Sequence, residues 1–273
     1  MRVVAIFLSD ETTTRRLTLA FRDRCRVEAF HDLKRAHELL SSGRVLTTVV
    51  DLRRRHGISE TDAIELIAQI RALWPMIPVV AHVNFTPQSA RSIMAAAHAG
   101  AAEIILSEFD DLEVVANRIA DAGVISEVIE RVKSEITRRV PPPLHGFILA
   151  CIKHVQNRRG LAGIVTRLRL NRKRLAQRTA AAHLPKPVQL MNWMRLLVAT
   201  RMLDEGTRST EKVARELGFS SGSALRNMLH RYVGCGPETL RTLGGFEYAI
   251  EQFVHVLRQA KRSRQRATIA GRE

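Results

Sequence analysis

Glu211-Lys-Val-Ala-Arg-Glu-Leu-Gly-Phe-Ser-Ser-Gly-Ser-Ala-Leu-Arg-Asn-Met-Leu-His-Arg-Tyr-Val-Gly-Cys-Gly-Pro-Glu-Thr-Leu-Arg241 is the stretch that decides how the C-terminal half of the chain folds. Val213, Ala214 and Leu217 share one helical face, and Gly218 suits the left-handed turn that ends a helix. Ser220 or Ser221 can cap a second helix, in which Leu225, Met228, Leu229 and Tyr232 recur at helical spacing and face inward. The outward face is left to Gly222, Ser223, Arg226, Asn227 and His230. Two short helices joined by a tight glycine-containing turn make a helix-turn-helix, which presents its second helix to the DNA major groove.

The run Gly218-Phe219-Ser220-Ser221-Gly222 also satisfies the G-x-S-x-G pattern of a hydrolase nucleophile elbow. That elbow needs an apolar strand before it. Lys212 to Leu217 instead has helical periodicity with charges at Lys212, Arg215 and Glu216, so Ser220 is read as a helix cap and no enzyme is expected.

The 31 residues resemble the second helix-turn-helix of the AraC/XylS transcription regulators. The match runs without a gap through Val213-Ala214, Gly218-Phe219-Ser220-Ser221, Leu225, Leu229, Gly234, Pro237 and Arg241. That family usually has Phe at Leu225 and Leu229 and Arg at Asn227, so sequence preference is not carried over. Arg195-Leu196, Ala199 and Met202-Leu203 fit the long helix joining the two motifs of the family. The first motif matches in outline only: Leu175 fits, while Gln177, Thr179 and Leu184 depart from it. The outward residues of this first motif are Asn171, Arg172, Lys173, Arg174, Gln177 and Arg178, mostly cations suited to phosphates. A merely solvated charged face is the plainer reading of the same run. In the second motif Arg226 can reach a guanine edge and Asn227 an adenine edge, with Ser221, Ser223 and His230 beside them.

Charge supports the division. The 273 residues carry a net charge of +16, and residues 1–140 hold 19 cations and 19 anions, so the whole excess lies in residues 141–273. A neutral half joined to a basic half fits an input or dimerisation domain attached to a polyanion binder, although basic charge can also serve only solubility. Cys25, Cys151 and Cys235 are odd in number, far apart and in no C-x-x-C pair, which points to ordinary thiols in a reducing compartment. Val3–Leu8 is too short for a signal peptide, and no run reaches the ~18 apolar residues of a membrane span. A cytoplasmic protein with no membrane partner is expected.

Residues 1–122 alternate apolar runs (Val3–Leu8, Val27–Phe30, Val45–Val50, Ile77–Ala81, Glu103–Leu106) with helical patterns (Arg15–Arg24, Leu33–Leu40, Thr61–Leu73, Pro87–His98, Asp111–Ala122). This alternation predicts a parallel sheet covered on both faces. It resembles the receiver domain of response regulators, a flavodoxin-like α/β fold. The resemblance implies Mg²⁺ ligands at Asp10 and Glu11, a phospho-acceptor at Asp51, and no other cofactor. Ser107-Glu108 stands where receivers carry Lys-Pro, Thr86 is the nearest candidate for their hydroxyl residue, and Arg53–His56 replaces the usual turn after the acceptor. Two readings therefore stay open: phosphorylation control, or a degenerate receiver kept for dimerisation or partner contact.

A further helix is expected over Val124–Val140, its stripe Ile125, Ile129, Val132 and Ile136 forming either a coiled-coil seam between subunits or an intramolecular contact. Pro141-Pro142-Pro143 reads as a stiff connector. The expected organisation is a receiver-like domain (1–122), a linker (123–143), an all-α domain with two helix-turn-helix motifs (144–245), then an extra helix and a basic, disordered tail (246–273). The function implied is that of a dimeric, double-stranded-DNA-binding transcription regulator. The alternative is a phosphorelay or adaptor protein whose C-terminal domain contacts a protein such as RNA polymerase.

Overall fold

The computed structural model describes residues 3–7, 11–21, 25–30, 33–52, 59–84, 86–87, 89–106, 111–155 and 160–270. The chain divides into two compact units, Met1–Glu127 and Val128–Glu273.

The first unit runs β1 (Val3–Phe7), α1 (Glu11–Phe21), β2 (Arg26–Phe30), α2 (Leu33–Ser41), β3 (Val45–Asp51), α3 (Glu60–Leu73), β4 (Val79–Val83), α4 (Ser89–His98), β5 (Glu103–Leu106) and the start of α5 (Leu112–Thr137). All neighbouring strands pair in parallel, in the order β2-β1-β3-β4-β5. That is the flavodoxin-like order, with its switch point between β1 and β3. The central strands are buried on both faces, so they read as mostly apolar, Val-rich runs without polar alternation.

Two apolar layers flank the sheet. Leu17 and Phe21 of α1 pack with Val115, Ala116 and Ile119 of α5 against Val4, Ile6, Val49, Val80 and Ile105. Residues from α2, α3 and α4, including Leu39, Ile67, Ile70 and Ala96, close the other face over Ala5, Phe7, Val50 and Ala81. Helix α3 is started by a capping box in which Ser59 and Asp62 satisfy each other's amides.

Helix α1 begins one turn early, at Glu11. Strand β4 starts at Val79 because Pro78 has no amide to give, although its carbonyl still accepts Thr48 N–H at 2.9 Å. The two helices expected on either side of Gly123 are one helix, α5. Gly123 is interior because α5 crosses Leu46 so closely that a Cβ there would lie 2.6 Å from the Leu46 side chain.

The second unit contains the end of α5, then α6 (Pro142–Lys153), α7 (Leu161–Arg167), α8 (Arg172–Ala181), α9 (Pro187–Asp204), α10 (Thr210–Glu216), α11 (Gly222–Val233), α12 (Pro237–Thr242) and α13 (Gly245–Ala270). The three prolines make no extended connector: Pro141 caps α6 and Pro142 and Pro143 form its first turn, where a missing amide costs nothing. Of the stripe expected on α5, Val132 and Ile136 are fully buried within the chain, while Ile125 and Ile129 are half-buried. Helix α13 runs to Ala270, into the stretch expected as a basic tail.

Helix α9 is the axis of this unit. It is apolar on nearly all sides, and it packs against α6, α7, α8, α10, α11, α12 and α13. Trp193 meets Tyr232 of α11 edge-on at 5.4 Å and Phe253 of α13 at 5.5 Å.

Candidate nucleic-acid interface

The second helix-turn-helix is built from short-range devices. Ser209 caps α10 by accepting Lys212 N–H at 3.2 Å, and Gly218 takes φ +74° to end it. Ser221, not Ser220, caps α11, accepting Ala224 N–H at 3.1 Å. Ser220 stays exposed in a turn that follows a helix, so the hydrolase elbow has no strand to stand on.

Glu211 adds a tertiary clamp, its Oε2 accepting Gly222 N–H at 2.7 Å. This places a carboxylate at the N-terminus of α11, where the helix dipole favours it. Gly222 is therefore buried against α10, a correction to its expected outward place. A Cβ there would come 2.5 Å from Glu211 Oε2 and 3.3 Å from Glu211 Cα.

The remaining outward residues stand as the periodicity predicts. Leu225 and Leu229 are buried, Met228 and Tyr232 half-buried, and Ser223, Arg226, Asn227 and His230 exposed. Arg226 Nη2 donates to Ser223 Oγ at 2.8 Å, which draws the guanidinium toward the start of the helix. The His230 ring leans on the turn at Gly236, where an added Cβ would be 3.1 Å from Nε2. Gly234, at φ +90°, closes α11 by donating to the carbonyls of Leu229 and His230.

The turn between the helices is held from outside as well. Arg195 of α9 stacks over Phe219, its Cζ 5.4 Å from the ring centroid, and burial lowers the guanidinium's pKa from its usual value. Asn192 Nδ2 donates to the Tyr232 hydroxyl at 3.2 Å. In the loop before α10, Arg208 pairs with Glu216 at 2.9 Å.

The first motif repeats the plan with different means. Asn171 caps α8, accepting Arg174 N–H at 2.9 Å, so it serves the helix rather than its outward face. Leu175 and Thr179 are buried, and Arg172, Lys173, Arg174, Gln177 and Arg178 are exposed along the opposite side. His183 turns the chain after α8 at φ +54°, just before Leu184.

In the first unit Asp51 is 1% exposed at the carboxyl end of β3, beside the sheet's switch point. Its Oδ2 lies 3.5 Å from Nδ1 of His82, its register partner on β4. Glu11 is exposed on the first turn of α1 and paired with Arg15 at 2.8 Å. Asp10, Arg53–His56 and Ser107–Asp110 lie outside the described residues. Thr86 is exposed and tied to Ser89, whose Oγ accepts its amide and donates to its carbonyl. Among the described residues no group of three His, Cys, Asp or Glu side chains could hold a metal ion, so they do not by themselves make a Mg²⁺ site. No helix among them is long and apolar enough to cross a membrane.

Residues 164–242, from α7 to the end of α12, match the family model of a helix-turn-helix domain. No curated protein matches the chain. Among solved structures, a response regulator from Thermotoga maritima is similar at 20% identity, covering 45% of this chain and 97% of its own, with a TM-score of 0.38. The N-terminal signal receiver domain of a two-component response regulator from Bacteroides fragilis is similar at 10% identity over 45% of this chain and 97% of its own, TM-score 0.40. Full-length FixJ from B. japonicum aligns at 13% identity over 84% of this chain and 96% of its own, TM-score 0.39. The chain thus carries a helix-turn-helix domain C-terminal to an α/β domain whose parallel sheet has the flavodoxin-like strand order.

Proposed function

We propose that the protein is a cytoplasmic regulator that binds double-stranded DNA with sequence specificity through two helices of unequal role. Helix α11 is the base reader: Arg226, Asn227 and Ser223 project from its exposed face, Ser221 stands at its start, and His230 stands at its end. A guanidinium can pair with a guanine edge and a carboxamide with an adenine edge, each discriminating by about 1–3 kcal/mol. Helix α8 supplies general affinity, because Arg172, Lys173, Arg174 and Arg178 are cations and Gln177 is the one neutral hydrogen-bonding group among them.

The observation that carries this reading is the pairing of that exposed row with the clamp beneath it. The Glu211–Gly222 bond and the Arg195–Phe219 stack fix α11 on α10 and α9. A rigid mount is what direct readout requires. The receiver-like unit serves signal input or pairing of two chains, and Asp51 at its switch point is the candidate acceptor of the signal.

Selection of duplexes from a random pool with the purified full chain tests the proposal. Enrichment of a defined motif is expected. A pool that stays random at low salt would overturn it.

A further inference from the structure

Helix α13 runs on past its last described buried side chain. Phe246, Ala249, Ile250, Phe253, Val254, Leu257 and Ala260 are buried, and Ala260 is the last buried position among the described side chains. The helix nevertheless runs ten residues further, to Ala270, about 15 Å at 1.5 Å per residue. Residues 252–272 contain Arg258, Lys261, Arg262, Arg264, Arg266 and Arg272 and no acidic residue. At 100° per residue Arg258, Lys261 and Arg262 share one face, and all three are exposed.

Helices normally offset such a run with acidic residues one turn away. Arg258 and Arg262, and Arg262 and Arg266, stand four apart with like charge, an arrangement that opposes the helix unless an external anion neutralises it. Ile269 is the one large apolar residue in 261–270, so the segment lacks the apolar face by which a helix lies on a membrane surface.

We infer that residues 258–270 form a helical arm that lies along DNA phosphates flanking the segment engaged by α8 and α11, lengthening the contacted duplex without reading its sequence. The inference rests on the DNA-binding reading above. The arm is rigid where it leaves the domain, because it is the continuation of a helix pinned through Phe253 to Trp193. It therefore delivers its cations with less ordering cost than a disordered tail would.

The test uses the full chain carrying Lys261→Gln, Arg262→Gln, Arg264→Gln and Arg266→Gln together. Gln keeps helix propensity while removing charge. Equal circular dichroism and thermal midpoint establish that the domain is intact. Affinity is measured against salt on duplexes from the selection, with a hydroxyl-radical footprint beside it. The slope of log K against log salt should fall by about 0.9 for each phosphate that the variant no longer neutralises, so by about 2 to 4 in all. The footprint should shorten at one flank while the preferred motif stays the same.

An unchanged slope and footprint in a variant of a DNA-binding parent would overturn the arm and leave the DNA-binding reading standing. A parent that binds no duplex at low salt would overturn both. Loss of binding to anionic phospholipid vesicles with DNA binding untouched would assign the arm to a membrane, against this proposal.

Discussion

The carboxylate of Glu211 and the amide of Gly222 join the two helices of the second motif across the turn, at 2.7 Å. One bond thus serves as tertiary contact and as helix cap. Glu211→Ala should lower stability by about 1–2 kcal/mol, since it removes a hydrogen bond to a charged group at a helix start. Glu211→Gln, which keeps the acceptor, should cost less. Gly222→Ala should be worse than Glu211→Ala, because its methyl meets both Oε2 and the Cα of residue 211. Chemical denaturation of the three variants ranks them; a Gly222→Ala protein as stable as the parent would refute the close approach.

The proposed division of labour between α11 and α8 makes opposite demands on two measurements. Arg226→Ala or Asn227→Ala should relax preference at one or two base pairs, by about 1–3 kcal/mol each, with little change in salt dependence. Lys173→Ala should weaken binding to every duplex alike and reduce the salt slope by about 0.9. Competition binding on single-base variants of the selected site separates the two behaviours.

Asp204 predicts a pH dependence. Its Oδ2 accepts Phe246 N–H at 2.6 Å and so starts α13. Burial raises its carboxyl above the ordinary aspartate value, against the lowering effects of that amide and of Arg241. The folded state then holds the proton more tightly than the unfolded chain does. This contribution is fully present below the ordinary aspartate range and is lost as pH rises through the raised folded value. Asp204→Asn keeps an acceptor for Phe246 and should flatten that part of the profile of stability against pH. Denaturation curves from about pH 3 to pH 7 are the check.

Thiol reactivity should follow burial. Cys151 is 2% exposed and its thiol is pushed up to about 12, and burial raises Cys235 as well. Cys25 is half-buried. Iodoacetamide near pH 8, followed by mass spectrometry, should label Cys25 first and Cys151 only on unfolding.

Much of the fold is legible in the sequence because local pattern and tertiary role agree. The run Val45–Val50 is β-branched and apolar enough to read as a strand, and the 3-4 spacing of Leu225, Leu229 and their neighbours sets the outward row of α11. The misread places are those where a distant partner decides. Gly123 looks like a helix break until Leu46 is seen against it, and Gly222 looks exposed until Glu211 is. The prolines at 141–143 and the cationic residues beyond Ala260 suggest irregular chain by composition, yet each belongs to a helix whose other end is firmly packed. The Asp51–His82 approach arises from strand register, which spacing along the chain does not reveal.

Helix α9 carries a last consequence, for the spacing of what is read. Its 18 residues form one uninterrupted rod of about 27 Å, with α7 and α8 packed on it along with α10 and α11. That length falls short of one turn of B-DNA, about 34 Å, so α9 sets the motifs' relative placement rather than by itself spanning a full turn. Because α9 has no joint, the rod acts as a ruler. The two contacted stretches of duplex should keep a fixed separation, and inserting a single base pair between them should cost the second contact rather than be absorbed.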